Sequence, residues 1–124
     1  MSEIASPLSV FTKQMINFSI ELTEMYPQDT SFKAIHNGLL LLKRTNPRLI
    51  AEKFINNVVP FKQDIFTKNE KLFLDMDYDE YTKQFQNGIM IMKTLKNYWK
   101  ELSQESKDCM WTYFKVLITL SERI

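Results

Sequence analysis

Glycine is nearly absent from this chain: Gly38 and Gly88 are the only two in 124 residues, alongside four prolines. An all-β fold needs more turn residues than that, and a glycine-rich phosphate loop cannot be built from two. Cys109 is the single cysteine, so no internal disulfide can form. His36 is the single histidine, so a zinc site of the Cys/His type cannot be completed within one chain. Charge of one sign is missing too. Sixteen Lys and Arg face fifteen Asp and Glu, a net charge of +1, and no overall field draws nucleic acid or an acidic partner. No apolar run exceeds that of Leu39 to Leu42, far below the roughly 20 residues that span a bilayer. The start Met1-Ser2-Glu3-Ile4 has neither the basic residues nor the apolar stretch of a signal peptide. The expectation is an intracellular protein made in a reducing compartment.

What is present fits an ordinary folded domain. Hydrophobic residues make up 44% and charged residues 25%, enough apolar surface to offset the entropy of ordering. The length fits one domain over residues 1–124, and a chain of this size can bury roughly two-thirds of its unfolded surface.

The apolar residues recur with helical spacing. Leu8, Phe11, Met15, Phe18, Leu22 and Met25 fall three and four apart, which puts them on one helix face. Ser6 can cap this helix, and Pro7 suits its first position. Pro27 disfavours helical geometry at Tyr26 and ends it. A second helix starts near Asp29 or Thr30, with Phe32, Ile35, Leu39 and Leu42 inward. Leu40 and Leu41 widen the stripe, so this helix is expected to be buried on most sides. Asn46-Pro47 restarts the chain, Asn46 as cap and Pro47 as first residue, for a third helix to about Val58 with Ile50, Phe54 and Val58 inward. Pro60 ends it, and residues 61–76 predict one or two short helices.

The stretch from Asp77 to Glu80 has the form of a capping box. It opens a predicted long helix from about Tyr78 to Leu102, with Tyr81, Phe85, Gly88, Met92, Leu95 and Trp99 on its stripe. Ser103 or Ser106 can cap a last helix to about Arg123, with Met110, Trp111, Phe114, Leu117 and Ile118 inward. No segment alternates apolar and polar residues long enough for a strand. The fold class is therefore all-α: a single-domain bundle of about five to seven helices.

Two segments fifty residues apart look alike. Residues 29–43 and 79–93 share Asp, Lys, Asn, Gly and a closing Lys, with four apolar residues after each Asn-Gly. Similar helical units are one reading; coincidence between two amphipathic helices is the other, and the favoured one. Glycine inside a helix costs on the order of 1 kcal/mol against alanine. Gly38 and Gly88 are accordingly expected to mark close helix–helix packing, where a side chain would block approach.

Candidate chemistry is sparse. The acidic cluster Asp75, Asp77 and Asp79 fails the calcium-loop pattern, because the positions that want glycine and glutamate hold Glu80 and Gln86. Helix capping explains it more simply. Cys109 has only Asp108 and Met110 beside it, and no base to activate it. No catalytic residue, metal ligand or cofactor is assigned, and the expectation is a protein that is not an enzyme. Charge is uneven, however. Lys33, Lys43, Arg44 and Arg48 lie in an acid-free stretch over residues 30–51, and Lys83, Lys93, Lys96 and Lys100 in another over residues 81–100. Lys93, Lys96 and Lys100 are expected on one helix face that could meet phosphate or a partner, with Trp99 or Tyr98 adding stacking.

A set of phrases stands in order along the chain: Phe11, Gln14, Phe18, Leu22, Tyr26-Pro27 and Asp29; Leu40-Leu41-Leu42-Lys43-Arg44 and Asn46-Pro47-Arg48; Phe54, Val58, Pro60-Phe61 and Ile65; Asn69-Glu70, Leu72-Phe73-Leu74 and Asp77-Tyr78. This order resembles a group of small helical proteins encoded by large double-stranded DNA viruses of algae and amoebae, over about the first two-thirds of the chain. The group offers no catalytic residues to carry over. The resemblance implies a setting, the cytoplasm of an infected cell or the virion itself, and a minor virion component or adaptor as the role. The leading expectation is a non-enzymatic helical module acting by protein–protein contact, with a protein partner or a homo-oligomer. The alternative is a nucleic-acid-binding accessory protein using the Lys-rich face.

Overall fold

Three helix starts are fixed by side chains close to them in sequence. Ser6 Oγ accepts from the Ser9 amide at 3.1 Å, Asp29 Oδ1 from the Ser31 amide at 2.8 Å, and Ser103 Oγ from the Ser106 amide at 3.1 Å. Each satisfies a backbone donor that has no partner within its helix. The computed structural model describes residues 6–78 and 90–124, Met90 by its backbone alone. Within them the long helices are α1 (Pro7–Met25), α2 (Thr30–Thr45) and α3 (Pro47–Asn57). A 3₁₀ turn at Val59–Phe61 follows, then the short helices α4 (Lys62–Phe66) and α5 (Lys71–Leu74). Helix α6 (Met90–Lys96), a 3₁₀ turn at Trp99–Glu101 and the C-terminal helix α7 (Gln104–Ser121) complete the order. The described residues are helical with no strand, as the patterning predicts.

Helix α1 is the hub, packed by α2, α3 and α7. Short connections make its neighbours α2 and α3 fold back on one another; a single residue, Asn46, separates those two helices. Pro47 takes the first position of α3, but the Asn46 side chain makes no capping bond. Asn46 instead closes α2, its amide donating to the Leu42 carbonyl at 2.7 Å. Helix α4 stops where Lys68 turns into the left-handed region at φ 54°.

One buried cluster runs from Phe11 in α1 to Ile118 in α7. Its aromatic centre joins four elements. Phe73 stacks on Trp99 at 4.2 Å, Trp99 meets Trp111 edge-on at 5.1 Å, and Phe18 meets Phe114 edge-on at 5.3 Å. Trp99 Nε1 keeps a partner there, donating to Glu70 Oε1 at 3.2 Å, as a buried indole N–H requires. The buried hydroxyls of Thr12, Ser19 and Ser121 turn back to carbonyls of their own helix.

Two expectations change. Helix α2 is not buried on most sides: Phe32 and Leu39 are its buried residues, while Leu40 and Leu41 stand 40% and 62% exposed. The helix packs on α1, α3 and α6, yet its residues Leu40 and Leu41 stay exposed. The predicted helix from Tyr78 to Leu102 does not continue through Leu102. Helix α6 ends at Lys96, Asn97 and Tyr98 turn, and a separate 3₁₀ turn carries Trp99. The turn delivers Tyr98 onto Tyr26, with ring centroids 4.0 Å apart, and lets its hydroxyl donate to the Asp29 carboxylate. The capping-box residue Glu80 and most of the second similar segment, residues 79–89, lie outside the described residues.

Candidate functional site

An apolar pocket of about 590 Å³ is walled by α2 and α3. Its α2 wall is Ala34, Ile35, Gly38, Leu39 and Leu42, with Thr30 and Ser31 at one end. Ile50, Phe54 and Val58 line the α3 side, and Met15 and Phe114 from α1 and α7 also line it. Ile91 of α6 adds to the lining. The lining comes from five helices that also pack elsewhere, so the pocket does not depend on one side chain. Lys53 is the one charged lining residue among those described, and its ammonium makes no ion pair with a described residue.

Gly38 belongs to this wall and not to a close helix crossing. Outside its own helix backbone, no atom of the described residues lies within 4 Å of where a Cβ would stand. The expectation of close packing at Gly38 is therefore overturned: the missing side chain leaves room in the pocket. Gly88 lies outside the described residues.

The outward side of α2 is a second feature. Lys33, Asn37, Leu40, Leu41 and Arg44 recur at helical spacing and are all exposed, with exposed Lys43 and Arg48 beside them. Lys33, Lys43, Arg44 and Arg48 form no ion pair with a described residue. Two leucines thus sit in a cationic surround on a helix that carries no acid.

The lysines expected on one face of the later helix are not carried by a single helix. Lys93 and Lys96 lie on α6, while Lys100 lies beyond the turn at Asn97 and Tyr98. Lys96 is half-buried, its ammonium donating to the Met76 carbonyl, and Lys93 is half-buried as well. Trp99 is 0% exposed and stacked in the core, so it offers no ring to a base or a partner. Sequence periodicity placed Trp99 correctly on the inward stripe, and the stacking role is the part overturned.

Groups with chemistry of their own are engaged in structural contacts. His36 Nδ1 lies 2.8 Å from Ser19 Oγ, a pairing the sequence did not announce. Ser19 is 1% exposed and its hydroxyl is placed to donate to the Ile16 carbonyl at 2.7 Å, an arrangement in which His36 Nδ1 is the donor to Ser19 Oγ. That arrangement orients a histidine and activates no nucleophile. Cys109 donates to Glu21 Oε1 at 3.4 Å. Burial pushes its thiol pKa up, and the Glu21 contact pushes it further, away from the thiolate a nucleophile needs. Burial and the same Glu21 raise Tyr113 to about 12. Asp29 is lowered, first by the Tyr98 hydroxyl, and Tyr98 is raised in return. Among the described residues no group of three His, Cys, Asp or Glu side chains is placed to hold a metal ion, and no helix is long and apolar enough to cross a membrane. Comparison with models of known protein families, with curated proteins and with solved structures returns no match.

Proposed function

We propose that this protein is a non-enzymatic binding module that works by protein–protein contact through the outward side of α2. The observation that carries the reading is the pair Leu40 and Leu41, 40% and 62% exposed, set among Lys33, Lys43, Arg44 and Arg48. Exposed leucines on an otherwise well-packed helical protein are candidate anchors for a partner. The surrounding cations select one with apolar residues flanked by acids, and they speed its approach. The resemblance to proteins of large double-stranded DNA viruses would place that contact in an infected cell or within the virion, as an adaptor or a minor structural component.

The test is recovery of the tagged full chain from its native cell after nuclease treatment, followed by identification of what remains bound. A stoichiometric protein is expected to be retained. Its binding should fall at least tenfold for a Leu41→Glu, Arg44→Glu variant and stay unchanged for Leu74→Glu, a control on another surface. A partner indifferent to the α2 variant removes the reading. Loss of everything bound on nuclease treatment would favour nucleic acid instead, with the same four exposed cations as its contacts.

A further inference from the structure

We propose that the pocket walled by α2 and α3 binds an amphipathic small molecule, a fatty carboxylate, with its chain in the apolar interior and its head at Lys53. The inference is independent of the protein-contact reading, because it uses the pocket side of α2 and not the outward side.

Size is the first argument. About 590 Å³ falls within the roughly 300–1,000 Å³ of ligand pockets. The same volume holds only about one turn of an α-helix with its side chains, whose diameter is roughly 10–12 Å. A slender chain therefore fits better than a partner helix. The lining agrees. Ile35, Leu39, Leu42, Phe54 and Val58 offer aliphatic and aromatic surface, and the pocket reaches Phe114, which is 1% exposed. An occupant reaching that residue would touch a side chain that is itself withdrawn from water.

Charge fixes the head group. Lys53 is the one charged group among the described lining residues and has no ion-pair partner among them. Lysine can lay its methylenes along apolar surface and present its ammonium at the edge. Thr30 and Ser31 also line the pocket, and the neighbouring Asp29 carboxylate accepts from the Ser31 amide. An anionic head is repelled there and attracted at Lys53, which sets the ligand's direction.

Gly38 supplies the third argument. A helix-interior glycine is destabilising, and here no described neighbour requires it. What its missing side chain provides is space inside the pocket.

The experiment is calorimetric titration of the purified full chain with laurate below its micelle concentration, beside dodecanol as the uncharged counterpart. One laurate per chain is expected. Gly38→Phe fills the wall and should abolish binding while leaving the helical circular dichroism intact; if that variant does not fold, Ala34→Leu on the same wall replaces it. Lys53→Met should weaken laurate by about tenfold and leave dodecanol within about twofold. Absence of saturable one-to-one laurate binding overturns the site. So does a folded pocket-filling variant that binds as tightly as the parent. Equal weakening of laurate and dodecanol by Lys53→Met overturns the assignment of the head group.

Discussion

Helices α2 and α7 are close in length, sixteen and eighteen residues, and both carry a strong apolar stripe. Their fates differ. Helix α7 buries Met110, Trp111, Phe114, Leu117, Ile118 and Ser121, whereas α2 buries Phe32 and Leu39. The aromatic centre contacts α7 from Phe18 on one side and Phe73 and Trp99 on the other. Helix α2 packs on α1, α3 and α6, borders a pocket, and keeps Leu40 and Leu41 exposed. An apolar helix is thus committed to the core only where neighbours are available to cover it. The uncovered apolar residues and the room beside them are where binding can occur.

The comparison breaks or sharpens first at its extremes. Trp111→Ala should cost about 3–5 kcal/mol of unfolding free energy, and Leu41→Ala should stay within about 0.5 kcal/mol. Urea titration of both variants measures the contrast; similar losses would mean that α2 is as deeply committed as α7. Leu39→Ala should fall between, near the lower end of the roughly 2–5 kcal/mol range for buried leucine, because it borders existing space. Gly38→Ala should raise stability by about 0.5–1 kcal/mol, read as a higher thermal midpoint. A loss there would restore the close-packing account of this residue.

Two titrations sharpen the comparison further. Asp29 and Glu70 are lowered in the folded state, Asp29 chiefly by the Tyr98 hydroxyl and Glu70 by Lys107 and Trp99. Their contribution is present above the ordinary carboxylate range and is lost as pH falls through their lowered folded values. Thermal midpoints should therefore decline in strongly acidic solution, less steeply for Asp29→Asn. Tyr113, raised to about 12, works in the opposite sense. Its contribution is complete below the unfolded value near 10 and is lost as pH rises towards 12. Phenolate absorbance should show a late step that Tyr113→Phe reduces.

Much of the fold is legible in the sequence because its determinants are local. Ser6-Pro7, Asp29 and Ser103 cap helices within three residues of themselves, and the inward residues of α1 and α7 follow from helical spacing alone. The break after Lys96 is not legible that way. Leu95, Trp99 and Leu102 keep the helical rhythm, and the chain turns because Tyr98 finds Tyr26 and Asp29 in a distant segment. Exposure of Leu40 and Leu41 escapes the same reading, since spacing reports what could be buried and not what is available to cover it. Gly38 carries one signal for two opposite causes. A glycine that admits a neighbour and a glycine that leaves a void look identical until the surrounding chain is in place.

The contact between Tyr98 and Asp29 links residues 69 positions apart. One oxygen of that carboxylate starts α2 and the other receives the phenol. During synthesis the whole of α2 is made before Tyr98 is added. Over that interval α2 has its cap but not its clamp. Arrival of the second half of the chain then acts at the opening turn of α2, where Thr30 and Ser31 line the pocket. Amide exchange at Ser31 and Phe32 should consequently report the completion of the whole molecule and not the formation of the helix that contains them.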